Sequence, residues 1–111
     1  MEIIVHNIRS LHNVGAFFRN ADAFGVDHVH LTGYTATPPR IEISKTALGA
    51  ENTIKWTKSQ DIMELIAELK LRGKRVVGFE ADPLFDRLDN IEPDPNAVLV
   101  FGNEPDGLSK E

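Results

Sequence analysis

The most constraining feature of the sequence is a run of five apolar residues, Ala97 to Phe101, with no polar alternation. Such a run predicts a strand buried on both faces, and strands of that kind belong mostly to parallel sheets covered by helices. Shorter apolar or β-branched segments predict further strands at Glu2–His6, His28–Leu31, Thr53–Thr57 and Arg75–Phe79. The chain is therefore expected to build its core around a parallel sheet.

Two segments between the strands have helical periodicity. The first is expected to begin with Asn13 as its N-cap and to end at Gly25. The second is expected to begin at Asp61 and to end near Gly73. Their apolar stripes are Val14, Phe17, Phe18 and Ala21 in the first, and Ile62, Leu65, Ile66 and Leu69 in the second. Residues 33–52 lack such a pattern and are predicted to form a long loop, and residues 81–96 a turn-rich stretch.

Alternating strands and helices predict an α/β fold, with a Rossmann-like parallel sheet and helices on both faces. We expect residues 1–111 to form a single domain, because that length suits one core and no more. Ligands of such sheets bind beyond the carboxyl ends of the strands. A functional site is therefore predicted in the loops that follow His6, Leu31, Phe79 and Phe101.

Composition narrows the function classes. The absence of cysteine excludes a disulfide framework, a thiolate nucleophile and a cysteine-based zinc site. No apolar run is long enough for a membrane helix and no signal peptide is evident, so we expect a cytoplasmic protein. The net charge of −5 argues against a basic nucleic-acid-coating protein. Residues 1–58 nevertheless hold six Lys and Arg against five Asp and Glu. A surface that faces RNA is expected in this half, at Arg9, Arg19, Arg40 and Lys45.

Two segments contain candidate functional residues. Arg19 lies off the apolar stripe, beside the small residues Gly15, Ala16 and Ala23. This pattern is compatible with a solvated arginine or with a site where a ligand approaches the helix backbone. In residues 101–109, two glycines flank the acidic residues Glu104 and Asp106. This composition suits a flat ligand with positive charge better than a phosphate, and it also suits an ordinary turn.

The histidines show no metal-binding spacing along the chain. His28 and His30 lie on one face of a predicted strand, but no third ligand accompanies them in sequence. Metal sites of this kind need at least three protein ligands. We therefore predict packing or edge roles for both residues and no metal site.

Together the two segments resemble the SpoU family of the SPOUT methyltransferase superfamily. The first family motif reads Asn, a short spacer, Asn-x-Gly and a helix with Arg, and it matches residues 7–21. The second reads Phe-Gly-x-Glu-x-x-Gly-Leu-Ser and matches residues 101–109. Residues 45–51 also resemble the loop after the second strand of small members. The resemblance implies a SPOUT fold, a homodimer, and methylation of a ribose 2′-hydroxyl in tRNA or rRNA with S-adenosylmethionine as cofactor.

The resemblance also assigns residue roles. It implies catalytic roles for Asn13, Arg19 and Glu104. It implies cofactor-binding roles at the second motif, for Phe101, Gly102, Asn103, Glu104, Gly107 and Leu108. A third family motif, a Ser-x-Asn segment that completes the trefoil knot, does not follow residue 111. We accordingly expect a methyltransferase domain that is incomplete at its C-terminus and that binds the cofactor weakly or not at all.

Two other classes of protein remain open on the sequence. One is a non-catalytic dimerising or RNA-binding module derived from the same fold. The other is an unrelated flavodoxin-like nucleotide-binding domain, which the lack of a glycine-rich phosphate turn after the first strand disfavours.

Overall fold

The structure is a computed structural model, and it describes residues 1–80 and 95–102 of the chain. Within these residues five parallel strands form one sheet in the order β3-β2-β1-β5-β4. The strands are β1 (Glu2–His6), β2 (His28–Thr32), β3 (Lys55–Ser59), β4 (Arg75–Glu80) and β5 (Ala97–Gly102). The parallel α/β sheet predicted from the apolar runs is confirmed.

Helices cover both faces of this sheet, as predicted. They are α1 (Leu11–Ala23), α2 (Ile41–Ala47) and α3 (Ile62–Leu71), and a short 3-10 turn follows α2 at Ala50–Asn52. Alternate residues of a strand point to opposite faces. Ile3 and Val5 of β1 thus pack in the core with α1 and α2, while Ile4 packs in a second core with α3. All six residues of β5 are buried, which explains its unbroken apolar sequence.

Helix α1 begins at Leu11, and its N-cap lies three residues before the predicted one. Ser10 caps it, because the Ser10 hydroxyl accepts a hydrogen bond from the Asn13 amide at 3.1 Å. The capping role predicted for Asn13 is therefore wrong, and Asn13 is an exposed residue of the first turn. Serine and asparagine both favour this position, so residue type alone did not separate them. The predicted N-cap of α3 is confirmed, since the Asp61 carboxylate accepts from the Met63 and Glu64 amides.

The long loop predicted for residues 33–52 is wrong, because it contains α2 and the 3-10 turn. Helix α2 has seven residues, of which Ile43 and Ala47 are buried, and no side chain caps its N-terminus. So short a helix is marginal by itself, and its stability comes from packing on the core. That packing depends on α1, so it is not visible in the local sequence.

Strand β3 is displaced by two residues from the predicted Thr53–Thr57. It pairs with β2 in a register that sets His28 opposite Lys55 and Thr32 opposite Ser59. Each β3 residue is exposed or half-buried, so an edge strand of this kind has a weak hydrophobic pattern. The stretch predicted to be turn-rich lies mostly outside the described residues. Among the helices described, none is long and apolar enough to span a membrane.

Candidate functional site

At the carboxyl edge of the sheet, the loops after β1 and β2 are joined by Asn7. Its side-chain oxygen accepts a hydrogen bond from the backbone amide of Tyr34 at 3.0 Å, and its backbone amide donates to the Thr32 carbonyl at 3.2 Å. Asn7 has a φ of 53°, in the left-handed region that asparagine tolerates better than most residues. A Cβ on Gly33 would overlap the Asn7 side-chain oxygen, so this loop contact requires glycine at position 33.

The side chains of Thr35 and Lys58 hold the same two loops through hydrogen bonds to backbone groups. The buried Thr35 hydroxyl donates to the Val5 carbonyl at 3.0 Å and accepts from the Ile8 amide at 3.1 Å. The Lys58 ammonium donates to the carbonyls of Gly33 at 2.7 Å and Thr35 at 2.5 Å. Burial lowers the pKa of Lys58. Asn7, Gly33, Thr35 and Lys58, here called the edge network, hold the sheet edge where ligands of such folds bind.

An aromatic and cationic pair lies on the solvent side of the edge network. The Arg9 guanidinium carbon is 5.3 Å from the centre of the Tyr34 ring, and Arg9 Nε donates to the Tyr34 hydroxyl at 3.4 Å. Both residues are exposed. Arginine and aromatic side chains are the groups on which unpaired RNA bases stack. Tyr34 is thus a second candidate for RNA binding, next to Arg9, and the sequence did not single it out.

Arg19 is exposed on α1, and within the described part of the chain no hydrogen bond or ion pair is assigned to it. The space beside it is partly filled. A Cβ on Gly15, one turn earlier, would overlap the Thr46 hydroxyl and the Ile43 carbonyl oxygen. The absence of a side chain at position 15 therefore allows α2 to pack closely against α1. The interpretation that Gly15 leaves room for a ligand is wrong. Arg19 itself remains accessible to solvent.

Asn13 and Arg19 are not brought together by the helix. Six residues separate them on α1, which corresponds to about 9 Å along the axis and about 120° around it. Asn13 is exposed, and its amide takes part in the Ser10 cap. A direct contact between these two residues, to both of which the resemblance assigns catalytic roles, thus has no support in the geometry of one copy of α1.

The four basic residues predicted to face RNA are all exposed. Arg19 lies on α1, Arg40 immediately precedes α2, and Lys45 lies on α2. Arg9 belongs to the loop that leads into α1. All four therefore lie on the side of the sheet that α1 and α2 cover, or at its carboxyl edge, and none lies on the side that α3 covers.

The second sequence motif begins at the end of β5. Its first residue, Phe101, is fully buried, and its ring centre lies 5.5 Å from that of Phe17 in the core. A contact between Phe101 and a cofactor would therefore involve its backbone. Gly102 ends the strand, paired with His6 on one side and Glu80 on the other. The remaining predicted cofactor residues, Asn103, Glu104, Gly107 and Leu108, lie outside the described residues.

A separate polar cluster lies at the opposite, amino edge of the sheet. Glu2 begins β1 and His28 begins β2, and the two are register partners. His30 Nε2 is 2.6 Å from Glu2 Oε1, and the His28 and His30 rings stack with centres 4.0 Å apart. Burial and, to a lesser extent, His30 lower the pKa of His28 to about 4, so the ring is neutral at pH 7.

The fold defines a class of protein, an α/β domain with a parallel sheet, and in such domains ligands bind beyond the carboxyl ends of the strands. The chain belongs to the SpoU rRNA methylase family, whose model matches residues 1–111. A Staphylococcus aureus protein named for the TrmH family of tRNA/rRNA methyltransferases is 31% identical over 108 residues. That match covers 97% of this chain and 43% of the relative, so the chain spans less than half the length of the relative.

Solved structures share the fold. An rRNA methyltransferase from Sinorhizobium meliloti matches with a TM-score of 0.78 and 26% identity, over 96% of this chain and 41% of that one. A structure of an rRNA methyltransferase from the same organism, described as bound to AdoMet, matches with a TM-score of 0.74 and 24% identity, over 96% and 41% of the two chains. The SPOUT fold predicted from the two motifs is confirmed, and the flavodoxin-like alternative is excluded.

Of the edge network, the sequence singled out only Asn7, as the first residue of the first motif, and not Gly33, Thr35 or Lys58. Thr35 and Lys58 act through hydrogen bonds to backbone groups that are 23 to 30 residues distant. Neither residue belongs to a local pattern. One available signal was the asparagine after β1 together with the glycine after β2, since both residue types favour left-handed turns.

Proposed function

We propose that this chain is part of an S-adenosylmethionine-dependent RNA methyltransferase that acts on a ribose 2′-hydroxyl of tRNA or rRNA. The observation that carries the proposal is the match of the SpoU rRNA methylase model to residues 1–111. The arrangement of the residues supports it, because the first motif leaves the carboxyl edge of β1 and the second begins at the adjacent edge of β5.

The described residues fit a cofactor at this edge in one respect. Gly102 ends a fully buried strand and has no side chain, so a flat heterocycle would be able to approach the backbone closely at the end of this strand. When bound, S-adenosylmethionine would supply the methyl group from its cationic sulfonium. The protein would have to hold the ribose in line with that methyl group, and the edge network provides a rigid frame for the loops nearest to Gly102.

The role proposed for Arg19 is to bind the phosphate of the target nucleotide through two parallel hydrogen bonds and thereby fix the hydroxyl for attack. Its exposure on α1 leaves the guanidinium free to meet a phosphate. Arg19 would not act as the general base, because a guanidinium remains protonated at any physiological pH. Arg9, Arg40 and Lys45, on the same side of the sheet, would add sequence-independent contacts to the RNA backbone.

Replacing Arg19 with lysine is expected to reduce the rate of methyl transfer by on the order of 100-fold, since lysine keeps the charge but lacks the planar fork. The measurement is single-turnover transfer from labelled S-adenosylmethionine to total tRNA and to rRNA, with mass spectrometry of 2′-O-methylnucleosides. Arg72→Lys is the matched control, because Arg72 is exposed on the other side of the sheet, in an ion pair with Glu68. The control should retain the wild-type rate.

A pH profile separates the two roles of Arg19. If it positions the phosphate, the rate of Arg19→Lys falls at every pH and the profile keeps its shape. If it were the base, the alkaline limb would move toward the lower pKa of lysine. Undiminished transfer by Arg19→Lys would rule out the bidentate role. Binding of both RNA and S-adenosylmethionine without any transfer would favour the non-catalytic RNA-binding module instead.

We also propose that the protein works as a homodimer. The separation of Asn13 from Arg19 on one helix supports this proposal, since a second copy offers another way for residues of the first motif to meet. Sedimentation equilibrium over a range of protein concentrations tests it. A single species of monomer mass at all concentrations would contradict it.

A further inference from the structure

Three potential metal ligands meet at the amino edge of the sheet, at the opposite end of the strands from the edge network. Parallel pairing sets Glu2 of β1 opposite His28 of β2, and His30 lies two residues later on the same face. One ligand atom from each of the three residues lies within 4.8 Å of the other two. The third ligand that the sequence lacked is thus supplied by a neighbouring strand, 26 residues away from His28.

Thr57 of β3 determines which ring nitrogens are available. Its hydroxyl is hydrogen-bonded to His28 Nε2 at 3.0 Å and to His30 Nδ1 at 3.3 Å. A hydroxyl oxygen has two lone pairs, so it can accept from both rings at once. In that arrangement His28 Nδ1 carries a lone pair. His30 Nε2 is hydrogen-bonded to Glu2 Oε1 at 2.6 Å, and a metal ion would take the place of the proton between these two atoms. Such hydrogen bonds are the usual outer support of metal-binding histidines.

We propose that Glu2, His28 and His30 bind a divalent transition-metal ion, with Zn²⁺ the best match to two imidazoles and one carboxylate. A tetrahedral Zn²⁺ ion with bonds of about 2.0–2.1 Å places its ligand atoms about 3.3 Å apart. His30 Nε2 and Glu2 Oε1, which are 2.6 Å apart, would therefore have to open by about 0.7 Å, and the other two pairs would have to close by at most about 1.5 Å from the 4.8 Å limit. The fourth position would be filled by water.

The surroundings of the three residues suit an ion that enters from solvent. His30 is buried, whereas Glu2 and His28 are half-buried and Thr57 is exposed on the edge strand β3. Lys74 opposes a cation, since its ammonium lies 3.4 Å from Glu2 Oε2. It contacts the carboxylate oxygen that His30 does not, so Glu2 Oε1 stays directed at the His30 ring. The metal would tie β1 to β2.

Titration of the tag-free, EDTA-treated full chain with ZnCl₂, followed by calorimetry, tests the proposal. We expect one ion per chain and a higher melting temperature in its presence, since a ligand of the native state stabilises it. Co²⁺ should give the intense visible absorption of four-coordinate cobalt. His28→Gln and Glu2→Gln are each expected to abolish stoichiometric binding. Thr57→Val, which keeps the ligands but removes their support, should weaken binding by about 10–100-fold.

His12→Gln is the matched control, because His12 is an exposed histidine on α1. It should bind Zn²⁺ like the wild type. Circular dichroism of each variant establishes that it is folded. No binding by the wild-type chain, or equal binding by folded His28→Gln, would overturn the proposal. These titrations contain neither RNA nor S-adenosylmethionine, so their outcome does not depend on the proposed methyltransferase function.

Discussion

Replacing Gly15 with alanine is expected to lower the free energy of unfolding by about 3 kcal/mol. In the interior of a helix this change would otherwise stabilise the protein by about 1 kcal/mol. The sign reverses because the new Cβ would overlap the Thr46 hydroxyl and the Ile43 carbonyl oxygen. The carbonyl is part of the backbone and cannot rotate away, so α1 and α2 would have to separate. Urea denaturation followed by circular dichroism measures the effect.

Gly25→Ala is the matched comparison for Gly15→Ala. Gly25 has a φ of 72°, and a Cβ placed there meets no atom within 4 Å. Its substitution should therefore cost only the left-handed strain, about 1–2 kcal/mol. A Gly15→Ala protein as stable as the wild type would mean that α2 does not pack against α1 as described. The face of α1 that carries Gly15 and Arg19 would then be exposed to solvent along its whole length.

Replacing Thr35 with valine is expected to lower the free energy of unfolding by about 2–3 kcal/mol. Valine has nearly the same shape, but it leaves the Val5 carbonyl and the Ile8 amide without the partner that the Thr35 hydroxyl provides. Both residues are buried, and the unsatisfied Ile8 amide costs about 1–3 kcal/mol. The Val5 carbonyl belongs to a strand that is paired on both sides, so the loss of its bond to Thr35 costs less. Chemical denaturation gives the total, and hydrogen exchange of the Ile8 amide reports the local loss of protection.

Thr35→Ser separates the hydrogen bonds from the volume of the side chain. It keeps the hydroxyl and removes one methyl group, which should cost about 1 kcal/mol. We expect Ile8 to remain protected in this variant. If valine and serine destabilise the protein equally, the hydroxyl does not stabilise the two loops and the edge network loses its central member.

The strands were predictable because their burial is reflected in runs of consecutive apolar residues. Every residue of β5 is buried and every residue of its sequence up to Phe101 is apolar. Helix α1 was likewise marked by its stripe, since Val14, Phe17 and Phe18 are among its buried residues. The features that were mispredicted depend on a neighbour. Helix α2 forms because Gly15 admits it, and β3 takes its register from β2.

The candidate sites also differ in whether their residues are close together in the sequence. The methyltransferase motifs lie within short segments, so a single sequence reveals them. The edge network joins Val5, Ile8 and Thr35 across two loops, and no local sequence pattern predicts these contacts. The cluster at the amino edge shows the same limit. Two histidines were visible on one strand, but Glu2 becomes their neighbour only through parallel pairing.

The central position of β1 has a consequence for how the protein is made. On one side β1 pairs with β2, which follows soon in the chain, and on the other it pairs Glu2 with Val98, 96 residues later. At a synthesis rate of roughly 5–20 residues per second, that flank stays without its partner for about 5–20 s. An unpaired strand edge with the apolar residues Ile3, Ile4 and Val5 is a template for wrong pairing. A nascent chain of this protein would therefore benefit from a chaperone that shields its first strand until β5 has emerged.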